Sequence, residues 1–432
     1  MIATSTLTNP SEINAPELFA VLPPNRCGSA DRAYMDEVLD DGFGNKESAN
    51  MLARFEQAFA EKFGAQYAIS MNSGSGTLVA ALMAAGVGPG DEVLVPSLTM
   101  AATAFSVIHT GAVPVFVDSD PRTYCLDPTD AWRKTTEFTK AIMPVSIYGL
   151  SPDFDPIMDL AQERSLAVIE DDAQTFLGTY RGKMVGTIGH AGSFSFQGSK
   201  HMTTGGDGGI VITDDEEYAI RIRKAAVQGY RTLGAKPGST MIPRDERQDW
   251  RFERHDSLGY NFRMSAPQAA LGLGQLERLN QLVDARRYVA HQYDQVIAEE
   301  KCEWLRPPHT PDECEHTYWC YPAWLNEAEL GVTWRDFRKK FIELGGDGLY
   351  GCYTPVHLEP VFRELSFYGD KNRSPLYDPR YQGKVKSYQA GDCPVLEEFR
   401  KGLCLFKTGM QTLDKVRGQV DALQKVIRYY QG

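Results

Sequence analysis

The chain has 432 residues and a formal net charge of −12, which exceeds what one hydrophobic core usually supports and argues against binding to nucleic acid or an anionic membrane. Its 42% hydrophobic and 24% charged content is ordinary for a soluble globular protein. No apolar run has transmembrane length, the stretch from Met1 lacks the pattern of a signal peptide, and eight scattered cysteines form no C-x-x-C pair. A reduced, cytoplasmic protein is expected.

From about residue 67, short apolar runs alternate with helical patterns. Strands are expected at 67–73, 92–97, 113–118, 141–148 and 166–171, and helices at 75–85, 99–109 and 152–164. This alternation predicts an α/β fold with a mainly parallel central sheet covered by helices. Two further runs, 192–197 and 208–213, flank Lys200 like paired strands joined by a glycine-rich turn. A charged stretch, Arg231 to Arg254, follows. A helical pattern from Ser265 to Glu300 carries the chain into strand candidates at 317–325, 348–354 and 403–406 and helix candidates at 334–344 and 413–430. Ser366 to Gly391 reads as an insertion loop. The expected organisation is an N-terminal arm over 1–50, a large domain over 51–295 and a smaller C-terminal α/β domain over 296–432.

Ligands of such sheets gather beyond the carboxyl ends of the strands, where Asn72, Ser97, Asp118 and Asp171 fall. Asn72-Ser-Gly-Ser-Gly-Thr77 joins a strand to a helix, where backbone amides and hydroxyls meet an anion at the helix N-terminus. It is neither a Walker loop nor a dinucleotide fingerprint, and alone it reads as a tight turn. Asp171 ends an apolar strand; alone it reads as a cap or a surface charge. Lys200 follows an apolar strand instead of lying on a charged face, with Ser195 five residues earlier. An amine, a strand-end carboxylate and a phosphate-sized cradle are together what a protein needs to hold pyridoxal phosphate as a Schiff base. Cys314, His316 and Cys320 invite a metal reading, but His316 to Trp324 reads as an aromatic-rich strand that packs, so no metal is expected.

With these motifs in order, the chain resembles the StrS/DegT family of pyridoxal-phosphate sugar and aminocyclitol aminotransferases, of fold-type I. The likeness runs from about Phe55 to the C-terminus. It rests on the stretch 87–97, on Val168-Ile-Glu-Asp-Asp-Ala-Gln174, on Ser195-Phe-Gln-Gly-Ser-Lys200 with Gly206-Asp-Gly-Gly209, and on Leu258-Gly-Tyr-Asn-Phe-Arg-Met264. The resemblance implies Lys200 as the Schiff-base lysine, Asp171 as the partner of the pyridine nitrogen and Gln174 as the neighbour of the ring oxygen. It implies Gly74, Ser75 and Ser195 as phosphate ligands. Asn261 is implied to reach the phosphate of the other subunit, in a homodimer with shared sites, and His357 falls where the family often places a histidine near the substrate. Two departures stand out. Met100 occupies the place of a stacking aromatic ring, and Gln228-Gly229 replaces a usual His-Gly.

The implied activity is amino transfer from glutamate or glutamine to a keto-sugar or keto-cyclitol, with Lys200 as base. A sugar dehydratase of the same fold is the alternative, but those relatives replace the lysine by histidine, and here His201 is merely adjacent. A ligand-sensing regulator without turnover is the second alternative, disfavoured because no DNA-binding module is appended. The arginines Arg231, Arg244, Arg247, Arg251 and Arg254 could bind a substrate phosphate, but Asp245, Glu246, Asp249 and Glu253 interleave with them, so a solvated charged loop is the favoured expectation.

Overall fold

Apolar runs that are buried on both faces make a parallel sheet, and those of this chain do so in a computed structural model that describes residues 7–43, 50–243, 245, 248–410 and 412–432. In chain order the strands are β1 (Tyr67–Met71), β2 (Glu92–Pro96), β3 (Val113–Val117), β4 (Thr139–Ile142), β5 (Ala167–Asp171), β6 (Thr179–Tyr180), β7 (Lys183–Met184), β8 (Ala191–Ser195) and β9 (Gly209–Thr213). Seven of them form one sheet in the order β1-β9-β8-β5-β4-β2-β3. Every residue of β2, β3, β8 and β9 is buried. Only β9 runs against the rest, pairing antiparallel with both β1 and β8. The pair expected around Lys200 is therefore β8 and β9. Because β5 and β8 are parallel neighbours with Asp171 opposite Ser193, the ends of both strands open on the same rim of the sheet.

The remaining strands are β10 (Leu305–Arg306), β11 (Cys314–Glu315), β12 (Cys320–Leu325), β13 (Leu349–Gly351) and β14 (Leu403–Lys407). A second, antiparallel sheet has the order β10-β12-β14-β13, and β11 joins β6 and β7 in a small ribbon. The helix Leu279–Glu299 links the two sheets, and Tyr293 Oη donates to the Lys407 carbonyl at 2.8 Å.

Three expectations need correction. The apolar run 141–148 is a strand only as far as Ile142; beyond it the backbone turns, with Tyr148 at φ 57°. That strained residue is held by the side-chain oxygen of Gln174, which accepts from the Tyr148 N–H at 2.8 Å. The helical pattern 265–300 is two helices, Ala266–Glu277 and Leu279–Glu299, broken at Arg278 (φ −109°, ψ 17°). Its guanidinium turns back to the Gly274 carbonyl, the Arg26 carbonyl and Asp31. A one-residue break leaves the apolar periodicity almost in phase, so the pattern alone does not show it.

The third concerns the insertion Ser366 to Gly391, which is not a loose loop but a strap tied down by its tyrosines. Tyr368 donates to the Ile108 carbonyl at 3.0 Å, Tyr381 to Glu92 Oε1 at 2.7 Å and Tyr388 to the Pro114 carbonyl at 2.8 Å. Glu92 and Pro114 lie at the amino ends of β2 and β3, opposite the rim that carries Asp171. Just after the strap, the helix Pro394–Phe399 reaches the carboxyl end, where the Asp118 carboxylate accepts from the Val395 and Leu396 N–H groups at 2.9 Å each. Since β3 is the outermost strand of the sheet, this segment covers an edge that would otherwise offer unpaired backbone groups.

On the other flank, a buried ion pair ties four segments together. Arg223, from the helix Glu216–Ala226, meets Glu56, from the helix Met51–Phe63, at 2.9 and 3.2 Å, and both side chains are at most 1% exposed. Glu56 also accepts from the Ser70 N–H and hydroxyl and from the Gly238 N–H. With every lone pair used, the buried charge is compensated.

Candidate active site

Three consecutive acids, Glu170, Asp171 and Asp172, end β5, and strand alternation sends the middle one to the opposite face from its neighbours. The Glu170 carboxylate accepts from the Gly186, Ile188 and Gly189 N–H groups at 2.6–2.8 Å, and burial pushes its pKa up to about 7. Asp172 accepts from the Ser146 hydroxyl at 2.7 Å, and burial together with Glu170 raises its pKa far above the usual carboxylate range. Glu170 thus holds the loop that precedes β8, and Asp172 ties the end of β5 to Ser146. Asp171 accepts instead from the Thr103 hydroxyl at 2.7 Å and from the Ala173 N–H at 3.2 Å. Burial raises its pKa, while Thr103, Ala173 and the charge of Lys200 oppose the rise.

Lys200 lies five residues beyond the end of β8 and is 6% exposed. Burial lowers its pKa to about 8, with Asp171 pulling the other way. Its ammonium stands 4.8 Å from the centroid of the Trp319 ring. The loop that presents it is clamped by two guanidinium groups. Arg26 donates to the carbonyls of Gly198, Lys200 (2.8 Å) and His201 (3.1 Å). Arg286 donates to those of Ser199 (3.0 Å) and Lys200 (3.2 Å). The next residue, His201, is buried with Nε2 on the Thr317 carbonyl at 2.9 Å, turned into the core.

A cradle forms beside these groups. The helix Gly74–Ala84 begins just after β1, and its cap, the Ser73 hydroxyl, accepts from the Gly76 N–H at 3.1 Å. A Cβ on Gly74 would stand 2.7 Å from Cβ of Ser195, and one on Gly209 would stand 2.7 Å from the Ser73 carbonyl oxygen. Both positions therefore need glycine, and the close approach brings the Ser195 side chain to a helix N-terminus, where the peptide dipoles favour an anion. Ser75, in the first turn, is exposed.

Gln174 is buried, and because its oxygen serves Tyr148, its amide NH2 is the end left to donate. Met100 caps the helix Ala101–Thr110, the helix that carries Thr103, and is 49% exposed. Asn261 is exposed on a segment whose neighbour Phe262 accepts from the Asn72 N–H at 2.8 Å. His357 stands apart from the others: it is fully buried, with Nδ1 2.6 Å from the Ser97 hydroxyl and Nε2 3.0 Å from Glu397. With both ring nitrogens used, it ties the end of β2 to the C-terminal part of the chain.

Of the arginine-rich stretch, Arg244, Glu246 and Arg247 lie outside the described residues. Arg231 pairs with Glu253 at 3.1 Å and Arg251 with Asp249 at 3.0 Å, all four with solvent-facing side chains. In the metal candidate, His316 stacks on Tyr318 with centroids 3.7 Å apart and accepts the Tyr318 N–H on Nδ1. Its pKa falls to about 3 through burial.

Thr103, Arg26, Arg286 and Trp319 escaped the sequence reading. The last was taken as part of a packing strand, but β12 begins only at Cys320. Arg26 lay in the presumed arm and Arg286 inside a helical pattern, where charged residues are expected to face water.

The arrangement offers a buried amine of depressed pKa, a buried carboxylate, an amide donor and an anion cradle on one rim. That set fits a phosphorylated pyridine aldehyde. Comparisons with known proteins agree with it. The sequence profile described as the DegT/DnrJ/EryC1/StrS aminotransferase family matches residues 26–375. GDP-perosamine synthase of Caulobacter vibrioides is 38% identical over 348 residues, covering 81% of this chain and 88% of that protein. L-glutamine:2-deoxy-scyllo-inosose aminotransferase of Streptomyces paromomycinus is 36% identical over 357 residues, covering 81% and 78%. An X-ray structure of an aminotransferase from Psychrobacter cryohalolentis superposes with a TM-score of 0.82 at 28% identity, covering 95% of this chain and 99% of that one. The chain belongs to the DegT/DnrJ/EryC1/StrS aminotransferase family.

Proposed function

We propose that the protein transfers an amino group from glutamate or glutamine to a keto-sugar or keto-cyclitol. The observation that carries the reading is the buried Lys200 amine facing the Asp171 carboxylate on the rim that also holds the cradle of Gly74 and Ser195. Pyridoxal 5'-phosphate supplies the chemistry when bound, its ring drawing electrons from the carbon that loses a proton.

Lys200 would hold the cofactor through its amine, Asp171 would keep the ring nitrogen protonated, and the Gln174 amide would donate to the ring oxygen. Gly74, Ser75 and Ser195 would hold the phosphate at the helix N-terminus, and Met100 would lie on the ring face, where a thioether packs well. A depressed pKa leaves a usable fraction of neutral amine near pH 7, so Nζ of Lys200 can take a proton from the substrate carbon that bears nitrogen and return it. Arg26 and Arg286 hold the backbone of that lysine still while its side chain moves. Asn261, exposed beside the start of the phosphate helix, supports a homodimer in which each subunit completes its partner's cradle. The segments 51–295 and 296–432 are proposed as the large and small domains, with 1–50 as an N-terminal arm. A cytoplasmic location is part of the proposal; among the described residues no helix is long and apolar enough to cross a membrane.

The test is to incubate the enzyme with cofactor, glutamate or glutamine, and a panel of nucleotide-linked keto-sugars and keto-cyclitols, and to follow conversion of ketone to amine by mass spectrometry. The reading predicts one member aminated with stoichiometric release of the donor's keto acid. Cofactor that never converts to its aminated form with either donor would refute it.

A further inference from the structure

Trp319 sits just before β12, and its surroundings fix its ring. Its indole N–H donates to the Ser199 carbonyl at 3.0 Å. Its own carbonyl accepts from Arg286 at 2.7 Å and from the Thr408 hydroxyl at 2.9 Å. Arg286 in turn donates to the Ser199 and Lys200 carbonyls, so ring and lysine loop form one braced unit. The Lys200 ammonium stands 4.8 Å from the ring centroid, inside the roughly 6 Å over which a cation is drawn to an aromatic face.

The charged and titratable groups facing this amine come from three other elements: Asp171 at the end of β5, Arg286 from the helix Leu279–Glu299, and Cys320 at the start of β12. Arg286 repels the ammonium. Burial raises the pKa of the Cys320 thiol, which leaves it uncharged at neutral pH. Asp171 attracts the ammonium, but in the proposed function that carboxylate is engaged by the cofactor ring nitrogen. Among the described residues facing the amine, Trp319 is the one that attracts it without a role toward the cofactor in the proposed function.

We propose that Trp319 is a positioning residue of the reaction, its ring face seating the Lys200 amine whenever that amine is not bonded to the cofactor. The inference rests on Lys200 being the cofactor lysine. Such a seat keeps the free amine in one place between its bonded states, and it lets the amine keep its proton to a higher pH than an equally buried site without the ring.

The test uses the cofactor-free protein. Lys200 is acetylated competitively by acetic anhydride over a pH series, and the extent is read by peptide mass spectrometry. Trp319→Leu should lower the apparent pKa of Lys200 by about half a unit to one and a half units, and Trp319→Phe, which keeps a weaker ring face, by less. Biosynthetic replacement of the six tryptophans by mono-, di- and trifluorotryptophan keeps the shape of the ring while weakening its face. The pKa should then fall stepwise, which guards against a leucine variant that folds poorly. An unchanged pKa across the fluorinated series overturns the seat. Because the readout needs no cofactor, its failure is distinct from that of the proposed function, which would show as cofactor attached to another lysine.

Discussion

The Thr103 hydroxyl donates to Asp171 Oδ2 at 2.7 Å, and neither residue is more than 4% exposed. This bond lowers the carboxyl pKa against the rise that burial imposes, so Thr103 helps keep Asp171 ionised for a ring nitrogen. Thr99 extends the chain, its hydroxyl 2.8 Å from that of Thr103.

Replacing Thr103 by Val should therefore slow the half-reaction with glutamate about tenfold, a loss of roughly 1–1.5 kcal/mol, while Thr103→Ser stays near wild type. Asp171→Asn should cost more, about a hundred- to several-thousandfold for a loss of 3–5 kcal/mol, while cofactor still binds. Stopped-flow spectra of the cofactor read both rates. Equal rates in the wild type and Asp171→Asn would make the carboxylate merely structural.

Breaking the buried pair of Arg223 and Glu56 leaves an uncompensated charge. Arg223→Met is expected to destabilise the protein by about 3–5 kcal/mol in denaturant titrations, and adding Glu56→Met should recover much of the loss. A double variant no better than the single would show that the pair's hydrogen bonds to Ser70 and Gly238 matter more than its charge.

The depressed pKa of Lys200 links to stability with a definite sign. Between about 8, its folded value, and 10.5, its ordinary value, the unfolded chain holds a proton that the folded apoprotein has lost. Stability of the apoprotein relative to Lys200→Met should therefore rise with pH across that window, by about 3 kcal/mol in total, and be level below it. Paired urea titrations at pH 7.5 and 10 should show about 2–2.5 kcal/mol of that rise, and a flat difference would place Lys200 in a wetter environment.

The sheet and the lysine motif were legible because each strand is a continuous apolar run with a polar end, a pattern that local chemistry alone imposes. Asp171 and Lys200 stood out by position, one closing a strand and the other lying between apolar strands instead of on a charged face. What the sequence hid are contacts made across long separations. Arg26 reaches the lysine loop from 172 residues away, Arg286 reaches it from within the linking helix, and Trp319 reaches it from just before β12. The strap over β3 was invisible for a similar reason. Its tyrosines look like surface residues of a polar loop until the edge they cover is known.

A shared phosphate cradle predicts complementation between two inactive variants. Mixing Lys200→Ala with Asn261→Ala subunits should restore activity, because one site of the heterodimer then carries both intact residues. Activity that stays at the level of either parent, despite demonstrated subunit exchange, would confine the site to a single chain.

The most direct measurement is reduction of the cofactor-loaded enzyme with borohydride, followed by peptide mass mapping. Attachment of the pyridoxyl group to Lys200, with none on the protein carrying Lys200→Ala, is the result that the buried amine beside Asp171 and Trp319 predicts. A pyridoxyl group on any other lysine, or none at all in a protein that binds the cofactor, would contradict it.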